Sequence, residues 1–331
     1  METTKLKNSQ IEATRIALGI WAIGGWMWGG TRERESIETI LAAVDNGINT
    51  IDTAPVYGFG KSEEIVGKAI NEYGKRENLI IATKVGLQWT EDQKIYRNST
   101  KSRIIKEVDD SLRRLQTDYI DIYQVHWPDI NTPFQETSET LNELLKEGKI
   151  RAIGVSNYSP DQMAEFKKYA PLHTDQPPYN LFERQIEDDI LPYCKQNEIA
   201  VLAYGALCRG MLSGKMSKDR EFEGDDLRNN DPKFQKPRFD QYLAAVDELD
   251  RFARKNYDKN VLELAVRWIL DRGVEIALWG ARKPSQVENV NDVMGWKIDD
   301  DAMKEIDEIL RKNVKDPVGP EFMAPPTSKP E

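Results

Sequence analysis

The sequence predicts a single (β/α)8 barrel, and two patterns predict it. Short apolar runs rich in β-branched residues alternate with longer segments whose apolar residues recur at helical spacing, which is typical of βα units around a parallel sheet. Eight such runs occur, and eight units in series close most economically as a barrel. An open doubly wound sheet would normally carry a glycine-rich phosphate loop near its first strand. The glycines at 24, 25, 29 and 30 spell no such motif.

The predicted strands end at similar intervals, except before the last one. Their ranges are 15–19, 49–52, 79–84, 120–126, 151–156, 172–176, 200–204 and 275–280. The long interval before the eighth strand contains a polar loop, 209–237, and two further helices. We interpret this interval as an insertion within the barrel, because long loops in compact domains usually have a function of their own.

Helices between the strands are predicted from their spacing and from their first residues. Two segments have apolar residues at helical spacing, which indicates one buried face: Ile104, Ile105, Val108, Leu112 and Leu115, then Val261, Leu264, Ala265, Trp268 and Ile269. Two helix starts combine a hydroxyl cap, a first-turn proline and a capping-box partner: Thr132-Pro133 with Gln135, and Ser159-Pro160 with Gln162.

The composition excludes several classes of function. The 331 residues carry a net charge of −10, which argues against a nucleic acid or an anionic membrane as the main partner. Cys194 and Cys208 are too few for a disulfide framework, which favours a reducing cytoplasm. The longest uncharged stretch, 16–31, is shorter than a membrane span and lacks the cleavage site of a signal peptide. With only His126 and His173 available, no metal site is predicted.

No linker or break in composition divides the chain. We therefore expect one domain over residues 1–331, with a core of about 15–312, which acts as a monomer or weak oligomer. The tail 316–331 is rich in proline, so it could be disordered. Its apolar Phe322 and Met323 could equally fold over the mouth of the barrel.

Polar side chains occur where a barrel places its active site. Asp52 ends the second predicted strand, Lys84 the third and His126 the fourth, while Tyr57 lies in the loop after the second. The carboxyl ends of barrel strands meet at one face, so one site could hold all four. Each residue alone is more often structural, as a cap, a surface amine, a packed ring or a satisfied core histidine. Four of them on adjacent strands favour a site.

This set of residues suits proton donation to a carbonyl oxygen that gains negative charge. The pKa of tyrosine is near 10, so Tyr57 keeps its proton at neutral pH and can donate it if the resulting anion is stabilised. Lys84, held in place by Asp52, would stabilise that anion, and a neutral His126 would orient the carbonyl. The set contains no reductant, so it requires a hydride carrier.

Six segments together carry a resemblance to a known family: GINTIDTAPVYGFGKSEEIVGKAI, IIATK, DYIDIYQVHWPD, GKIRAIGVSNYSPDQM, QPPYNLFER and LAYGALCRGMLSGK. In order and spacing they resemble the aldo-keto reductases from about Arg15 to Glu308. Two more segments, FEGDDLRNNDPKFQKPRF and DPVGPEFMAPPT, resemble the bacterial branch that includes general stress proteins. The resemblance implies an NADPH-dependent barrel reductase of aldehydes and ketones, in which the four residues have the roles just described, and a part in aldehyde detoxification under stress.

The resemblance also implies where a nicotinamide cofactor binds. It assigns Ser156, Asn157 and Gln176 to the carboxamide and places Tyr204 under the nicotinamide ring. The other residues that it places along the cofactor are Ile20, Trp21, Asp52, Gly205, Ala206, Leu207, Cys208, Arg209 and Gly210, of which the last six wrap the pyrophosphate. A plain turn is the alternative for this loop, although glycine backbone can approach a diphosphate closely.

The segment after the eighth strand bears on the choice between NADP and NAD. Its residues are Gly280, Ala281, Arg282, Lys283, Pro284, Ser285 and Gln286. Backbone amides and two cations at a predicted helix start could hold a 2′-phosphate, which favours NADP. Related reductases often carry Arg where Gln286 stands, so the phosphate contact is expected to be weaker or to move to Arg282.

Two further groups of residues are assigned to the rim and mouth of the site. Lys215 and Arg228 in the inserted loop could clamp the pyrophosphate from above, as the resemblance suggests, or they could be solvated loop charges. Trp21, Trp89 and Trp127 fall on loops at the carboxyl ends of the strands, so they predict an aromatic mouth for aldehydes. The alternative is that these rings only pack against one another.

Two other functions fit parts of the sequence. A subunit that senses NADP(H) with slow turnover, like the channel-associated β subunits of this family, is disfavoured because no N-terminal extension precedes the barrel. A hydrolase or isomerase on a bare barrel would leave the runs 205–210 and 280–286 unexplained. Cys208, within the proposed cofactor loop, could make the activity sensitive to oxidants, but a buried inert thiol is the commoner role.

Overall fold

Eight parallel strands form a closed barrel in the computed structural model, which describes residues 1–329. They are β1 (Ile16–Gly19), β2 (Thr50–Asp52), β3 (Ile80–Val85), β4 (Ile120–Val125), β5 (Ile150–Ser156), β6 (Thr174–Gln176), β7 (Ala200–Ala203) and β8 (Ile276–Gly280). The barrel closes where β8 pairs with β1, in a register that sets Leu278 opposite Ala17. The predicted fold class is confirmed.

Helices cover the outside of the barrel. They are α1 (Glu33–Asp45), α2 (Lys61–Tyr73), α3 (Lys101–Leu115), α4 (Phe134–Lys146), α5 (Pro160–Phe166), α6 (Ile190–Gln196), α7 (Arg238–Tyr257), α8 (Val261–Asp271) and α9 (Asp300–Asn313). In α8 the predicted apolar face is buried, and Asn260 and Glu263 form a capping box at its start. The main hydrophobic core therefore lies between the strands and this layer of helices.

The barrel interior changes from apolar to polar along its axis. Alternate residues of a strand point inward, and near the amino ends these are small or aliphatic residues such as Ala17, Ile122 and Leu202. Leu6 and Ile11, from the N-terminal hairpin, join the same cluster and close this end. Polar inward side chains are consequently confined to the carboxyl ends of the strands, where they can serve a site.

Two short hairpins were not predicted. One pairs Thr3–Lys5 with Glu12–Thr14 before β1, and the other pairs Leu87–Trp89 with Ile95–Arg97 after β3. Each strand is only three residues long, so neither produces a recognisable alternation of apolar and polar residues.

Several predicted boundaries and contacts differ from the structure. The sixth strand begins at Thr174 rather than at residue 172, and most other strand ends shift by one residue. The predicted helix start at Pro284 is a single 3₁₀ turn, Pro284–Gln286. Ile105 was assigned to the buried face of α3, but it lies at the edge of that face and is 39% exposed.

One of the two predicted helix caps is confirmed and the other is wrong. Ser159 and Gln162 form a capping box at the start of α5. At α4 the cap position is Pro133, and the Thr132 hydroxyl instead donates to the Asp129 carboxylate at 2.7 Å. The hydroxyl is satisfied by this closer acceptor, so it does not cap the helix.

The long segment between β7 and β8 is an insertion, as predicted. It contains three 3₁₀ turns, Cys208–Ser213, Leu227–Asn229 and Pro232–Phe234, followed by α7 and α8. The tail after α9 runs across the structure to residue 329, and Pro330 and Glu331 of the predicted tail lie outside the described residues. Within residues 1–329, no helix is both long enough and apolar enough to cross a membrane.

Candidate active site

The barrel brings the four predicted catalytic residues together at the carboxyl ends of its strands. Asp52 ends β2, Lys84 lies in β3 and His126 directly follows β4, and all three are buried. Tyr57 lies in the turns between β2 and α2. Successive side chains of a barrel strand point alternately inward and outward, and these side chains are among those that point inward. They therefore converge on one wall of a cavity.

Asp52 and Lys84 form a buried ion pair. The Lys84 ammonium donates to Asp52 Oδ1 at 2.6 Å and to the Thr53 carbonyl oxygen at 2.9 Å. Burial lowers the pKa of Lys84, and the Asp52 carboxylate offsets only part of that effect. The ammonium is thus fixed in position by two acceptors on β2 and the residue that follows it.

Tyr57 lies directly above this ion pair. The Lys84 ammonium is 5.1 Å from the centre of the Tyr57 ring, and the Trp21 ring stacks on the ring at 5.9 Å. Burial and the Asp52 carboxylate raise the pKa of Tyr57 well above its usual value. The hydroxyl therefore keeps its proton throughout the neutral pH range.

A close approach of two loops fixes the position of Tyr57. A Cβ on Gly58 would lie 2.2 Å from the Gly24 carbonyl oxygen, and a Cβ on Gly24 would lie 2.7 Å from the Tyr57 carbonyl carbon. Gly58 also has a φ of 64°, in the left-handed region that favours glycine. No larger residue fits at either position without separating the loops.

His126 is a neutral imidazole beside Tyr57. Its ring is 5.7 Å from the Tyr57 ring and nearly perpendicular to it. Burial and the neighbouring Lys84 ammonium hold the pKa of His126 well below its usual value. A neutral ring carries one N–H donor, which suits it to a hydrogen bond with a carbonyl oxygen.

The second oxygen of Asp52 is held by two amides. Gln176 Nε2 donates to Asp52 Oδ2 at 2.8 Å, and Gln124 Nε2 donates to the same oxygen at 3.2 Å. Gln176 was predicted as a cofactor residue, but Gln124 was missed. The sequence could have indicated Gln124 because it lies two residues before His126. This spacing directs both side chains to the inside of the barrel.

A hydrogen-bonded chain runs from β7 back to this site. The Tyr204 hydroxyl donates to Asn157 Oδ1 at 2.9 Å, and Asn157 Nδ2 donates to Ser156 Oγ and to the His126 carbonyl oxygen, both at 3.0 Å. Ser156 Oγ donates to the Gln176 carbonyl oxygen at 2.7 Å. Asn157 has a φ of 61°, which asparagine tolerates better than most residues. These contacts fix the orientation of the Asn157 amide.

One cavity of about 1870 Å³ contains the site. This volume exceeds the roughly 300–1,000 Å³ of a typical small-molecule pocket, so the cavity has room for two ligands side by side. Of the predicted site residues, its walls include Ile20, Trp21, Asp52, Tyr57, His126, Trp127, Ser156, Asn157, Gln176, Tyr204, Gly205, Ala206, Leu207, Arg209, Gly210, Lys215, Arg228, Gly280, Ala281, Arg282 and Gln286.

Three predicted site residues do not line the cavity. Lys84 lies beneath Tyr57, and Trp89 packs against Phe59 at 5.5 Å. Cys208 is fully buried, and burial raises the pKa of its thiol to about 12. Burial also raises the pKa of Cys194, and neither cysteine forms a disulfide. The cavity wall also includes three tryptophans that were not predicted as site residues, Trp26, Trp28 and Trp279.

The Arg209 side chain is committed to a buried ion network. Its guanidinium donates to Glu183 and to Asp231, and Lys233 Nζ is 2.8 Å from Glu183. Burial raises the pKa of Glu183, but Arg209 and Lys233 overcome this effect and hold it below the usual value. The third nitrogen of the Arg209 guanidinium, Nη1, donates to Met323 Sδ of the tail at 3.9 Å, so the guanidinium is held between the network and the tail.

Side-chain hydrogen bonds organise the far end of the cavity. Gln286 Oε1 accepts from the backbone amides of Arg282 and Lys283 at 2.7 and 3.0 Å. The Arg282 guanidinium donates to the carbonyl oxygens of Trp28 and Gly30. Lys283 is exposed, and within residues 1–329 its ammonium forms no ion pair.

The inserted segment contacts the loop after β1 across the cavity. Asp225 accepts from the backbone amides of Met27 and Gly29 at 2.7 and 3.2 Å. Arg228 pairs with Asp226 at 2.6 Å and lies over the Trp28 ring. Of the two predicted clamping cations, Arg228 is thus already paired. Lys215 Nζ forms no ion pair in the part of the chain that the structure describes.

The C-terminal tail passes over the other end of the cavity, and Phe322, Met323, Pro325 and Pro326 line it. The Arg97 guanidinium donates to the Pro325 carbonyl oxygen and lies 5.1 Å from the centre of the Trp127 ring. Lys233 Nζ donates to the Gly319 carbonyl oxygen at 2.9 Å. The described part of the tail is therefore attached both to the hairpin after β3 and to the buried ion network.

Residues 15–311 match the Aldo/keto reductase family. The chain belongs to this family. The match spans the barrel, its insertion and nearly all of α9, and it confirms the resemblance carried by the sequence segments. The family match also argues against a hydrolase or isomerase on this barrel, because aldo/keto reductases are oxidoreductases.

Similar proteins cover nearly the whole reductase. It is 61% identical to aldo-keto reductase YhdN of Bacillus subtilis, over 99% of each chain. It is 39% identical to the NADH-specific methylglyoxal reductase of Escherichia coli, over 94% of this chain and all of the other. Among solved structures, the glycerol dehydrogenase of Gluconobacter oxydans is 55% identical, with a TM-score of 0.89 over 97% of this chain and 99% of that one.

The two histidines of the reductase are expected to stay neutral at pH values at which free histidine is half protonated. Burial lowers the pKa of both His126 and His173. As the pH falls below about 6.5, the unfolded chain therefore takes up protons that the folded chain does not, and the free energy of unfolding decreases. NMR titration of the ring resonances, with a His173→Gln variant for assignment, measures this directly. An His126 ring that titrates near pH 6.5 would contradict it.

Proposed function

We propose that this reductase reduces aldehydes and ketones to alcohols with NADPH and also catalyses the reverse oxidation. The observation that carries the proposal is the buried Asp52–Lys84 pair beneath the protonated Tyr57, with the neutral His126 beside it. These groups line or support a cavity large enough for a dinucleotide and a carbonyl compound.

Tyr57 donates the proton in the direction of reduction. Tyr57 lines the cavity, and its hydroxyl stays protonated because burial and Asp52 raise its pKa. When the proton leaves, the resulting tyrosinate is stabilised by the Lys84 ammonium, which cannot move away because Asp52 and the Thr53 carbonyl oxygen hold it. The same arrangement accepts the proton in the reverse reaction.

His126 orients the carbonyl group. A neutral imidazole can donate one hydrogen bond to the carbonyl oxygen without competing with Tyr57 for the proton. The Lys84 charge and burial both keep the ring neutral. The Tyr57 and His126 rings are 5.7 Å apart and both line the cavity, so one carbonyl group could contact both side chains.

The cavity residues fit a nicotinamide dinucleotide, which when bound supplies the hydride. Gly205 and Gly210 have φ of 71° and 89°, and an added Cβ at Gly205 would lie 3.9 Å from its nearest neighbour, so backbone here is open to a diphosphate. Lys215 would add charge from above. Ser156 and Asn157 would contact the carboxamide, and Tyr204, fixed through its hydroxyl, would stack under the ring.

We assign the 2′-phosphate of NADP to the turn at 282–286. Lys283 lines the cavity there without an ion pair in the described chain, whereas the backbone amides of Arg282 and Lys283 already donate to Gln286 Oε1. Arg282 serves mainly to hold the loop after β1, so Lys283 is the cation we expect to select the phosphate. The NADH-specific relative makes this choice worth testing separately.

The tail and the tryptophans would form the carbonyl-binding mouth. Trp21 and Trp127 line the cavity with Phe322 of the tail. These apolar surfaces favour aldehydes with an apolar or aromatic substituent over charged ones. The attachments of the tail through Arg97, Asn131 and Lys233 would keep it closed over a bound substrate.

Replacement of Tyr57 by Phe is expected to lower kcat for NADPH-dependent aldehyde reduction at least about 100-fold, because the proton donor is lost. NADPH binding, followed by protein fluorescence, should change little. Tyr193→Phe is the matched control, since Tyr193 lies on the outer helix α6. Undiminished turnover of the Tyr57 variant would contradict the mechanism. Tight NADPH binding with negligible turnover of every carbonyl in wild-type protein would favour a cofactor-sensing subunit.

A Lys283→Met variant is expected to lose about three- to tenfold in kcat/KM for NADPH while kcat/KM for NADH stays constant. A single exposed charge-assisted contact with phosphate accounts for a loss of this size. Lys297→Met, at another exposed position, provides the control. Steady-state kinetics with both cofactors make the comparison. Equal losses with the two cofactors, or a wild-type preference for NADH, would rule out the assignment.

Weakening the tail attachment through Arg97→Met should raise KM for aromatic aldehydes about three- to tenfold. The variant loses the side-chain hydrogen bonds to Pro325 and Pro128 and the contact with Trp127, each of which is a modest interaction, but it keeps the backbone hydrogen bond from residue 97 to Pro326. The dissociation constant for NADPH should not change. Arg113→Met on the exposed side of α3 serves as the control. An unchanged KM would show that the Arg97 side chain does not hold the tail over the mouth.

A further inference from the structure

Gln124 is a fully buried polar residue that the proposed mechanism does not use. It lies on β4 on the same inward face as His126, below the cavity. Most inward residues nearer the other end of the barrel are apolar, for example Ile122 on the same strand. An amide in such a place needs hydrogen-bond partners, because an unsatisfied buried amide is destabilising.

Both ends of the Gln124 amide are engaged by the site. Its Nε2 donates to Asp52 Oδ2 at 3.2 Å, and its Oε1 accepts from Gln176 Nε2 at 3.3 Å. Gln176 Nε2 also donates to Asp52 Oδ2, at 2.8 Å. Both amide hydrogens of Gln176 are thus directed into the barrel. This leaves Gln176 Oε1 as the atom available to a ligand in the cavity.

The backbone beside Gln124 is shaped to admit this side chain. A Cβ on Gly154, on the neighbouring strand β5, would lie 2.7 Å from Gln124 Cγ and 2.2 Å from Thr174 Oγ1. Gly154 has no left-handed φ that would require glycine for conformational reasons. Its missing side chain instead provides the space in which Gln124 lies.

We propose that Gln124 is a positioning residue that joins the Asp52–Lys84 pair to the carboxamide-binding face of Gln176. It holds the Asp52 carboxylate so that Oδ1 stays directed at Lys84. It also fixes the Gln176 amide so that an acceptor oxygen faces the nicotinamide carboxamide. The inference rests on the proposed function, since it concerns the same acid and the same cofactor.

Gln124→Met removes the donor and the acceptor with little change in side-chain shape. Asp52 Oδ2 then loses one hydrogen bond, and the Gln176 amide loses the partner that sets its orientation. A hydrogen bond to a charged group contributes more free energy than one between neutral groups. Because Asp52 loses such a bond, we expect kcat to fall about 10- to 100-fold. The dissociation constant for NADPH should rise about three- to tenfold.

Gln124→Glu distinguishes hydrogen bonding from packing. The ionisable groups of this region are Asp52, Lys84 and His126 on the strands, with Tyr57 and Tyr204 above them. Beside Asp52 and away from water, a glutamic acid retains its proton, so it can donate to Asp52 Oδ2 and still accept from Gln176. We expect kcat at low pH to recover to within about tenfold of wild type, and to fall as rising pH removes that proton, whereas the Met variant stays slow throughout.

The matched control is Thr174→Val. Thr174 is buried next to Gln124, and its hydroxyl has no hydrogen-bond partner within residues 1–329, so the isosteric change should leave kcat and NADPH affinity as in wild type. The proposal is overturned if Gln124→Met behaves like Thr174→Val in both measurements. It is also overturned if Gln124→Glu is as slow as the Met variant at every pH. Should the Met variant fail to fold, the pH profile of the Glu variant alone decides.

Failure of this inference is distinguishable from failure of the proposed function. If wild-type protein turns over no carbonyl compound, the proposed function fails. NADPH binding by fluorescence titration still tests Gln124 in that case, because the Met variant should bind more weakly than Thr174→Val. Equal affinities of these two variants would then reject the positioning role.

Discussion

The buried ion pair between Asp52 and Lys84 is the interaction on which the site depends. Removing two charges from water is unfavourable, and their attraction compensates only when the remaining hydrogen-bonding capacity is satisfied. The barrel provides that satisfaction through the Thr53 carbonyl oxygen and the amides of Gln124 and Gln176. The low dielectric constant that makes burial of the pair unfavourable also strengthens its electrostatic effect. The fixed charges therefore act strongly on Tyr57 and His126.

Around this rigid centre, the loops build the cavity. Strands place the reacting groups, whereas the insertion and the tail supply walls that other barrel loops do not reach. The buried network of Glu183, Arg209, Asp231 and Lys233 ties the insertion to β6–β7 connections and, through the Gly319 carbonyl oxygen, to the tail. The insertion and the tail are consequently parts of one assembly rather than independent flaps.

Much of the fold and the central site could be predicted from the sequence, for physical reasons. Strand runs and polar residues at their ends are local signals, so the barrel and the convergence of Asp52, Lys84 and His126 could be inferred. Trp89 packs against Phe59 and Thr132 does not cap α4, because a loop ring or a hydroxyl has several partners in reach, and only the folded chain decides among them. Gln124 was overlooked because its partners lie on other strands, 52 or more residues away along the chain.

The burial of both cysteines has a chemical consequence. The pKa of the Cys208 thiol is raised to about 12, burial also raises that of Cys194, and neither side chain lines the cavity. Electrophiles react with cysteine through the thiolate, and the thiolate fraction falls as the pKa rises. With no other cysteine in the sequence, the chain offers such molecules no reactive sulfur. Both thiols are therefore protected from electrophiles that enter the cavity.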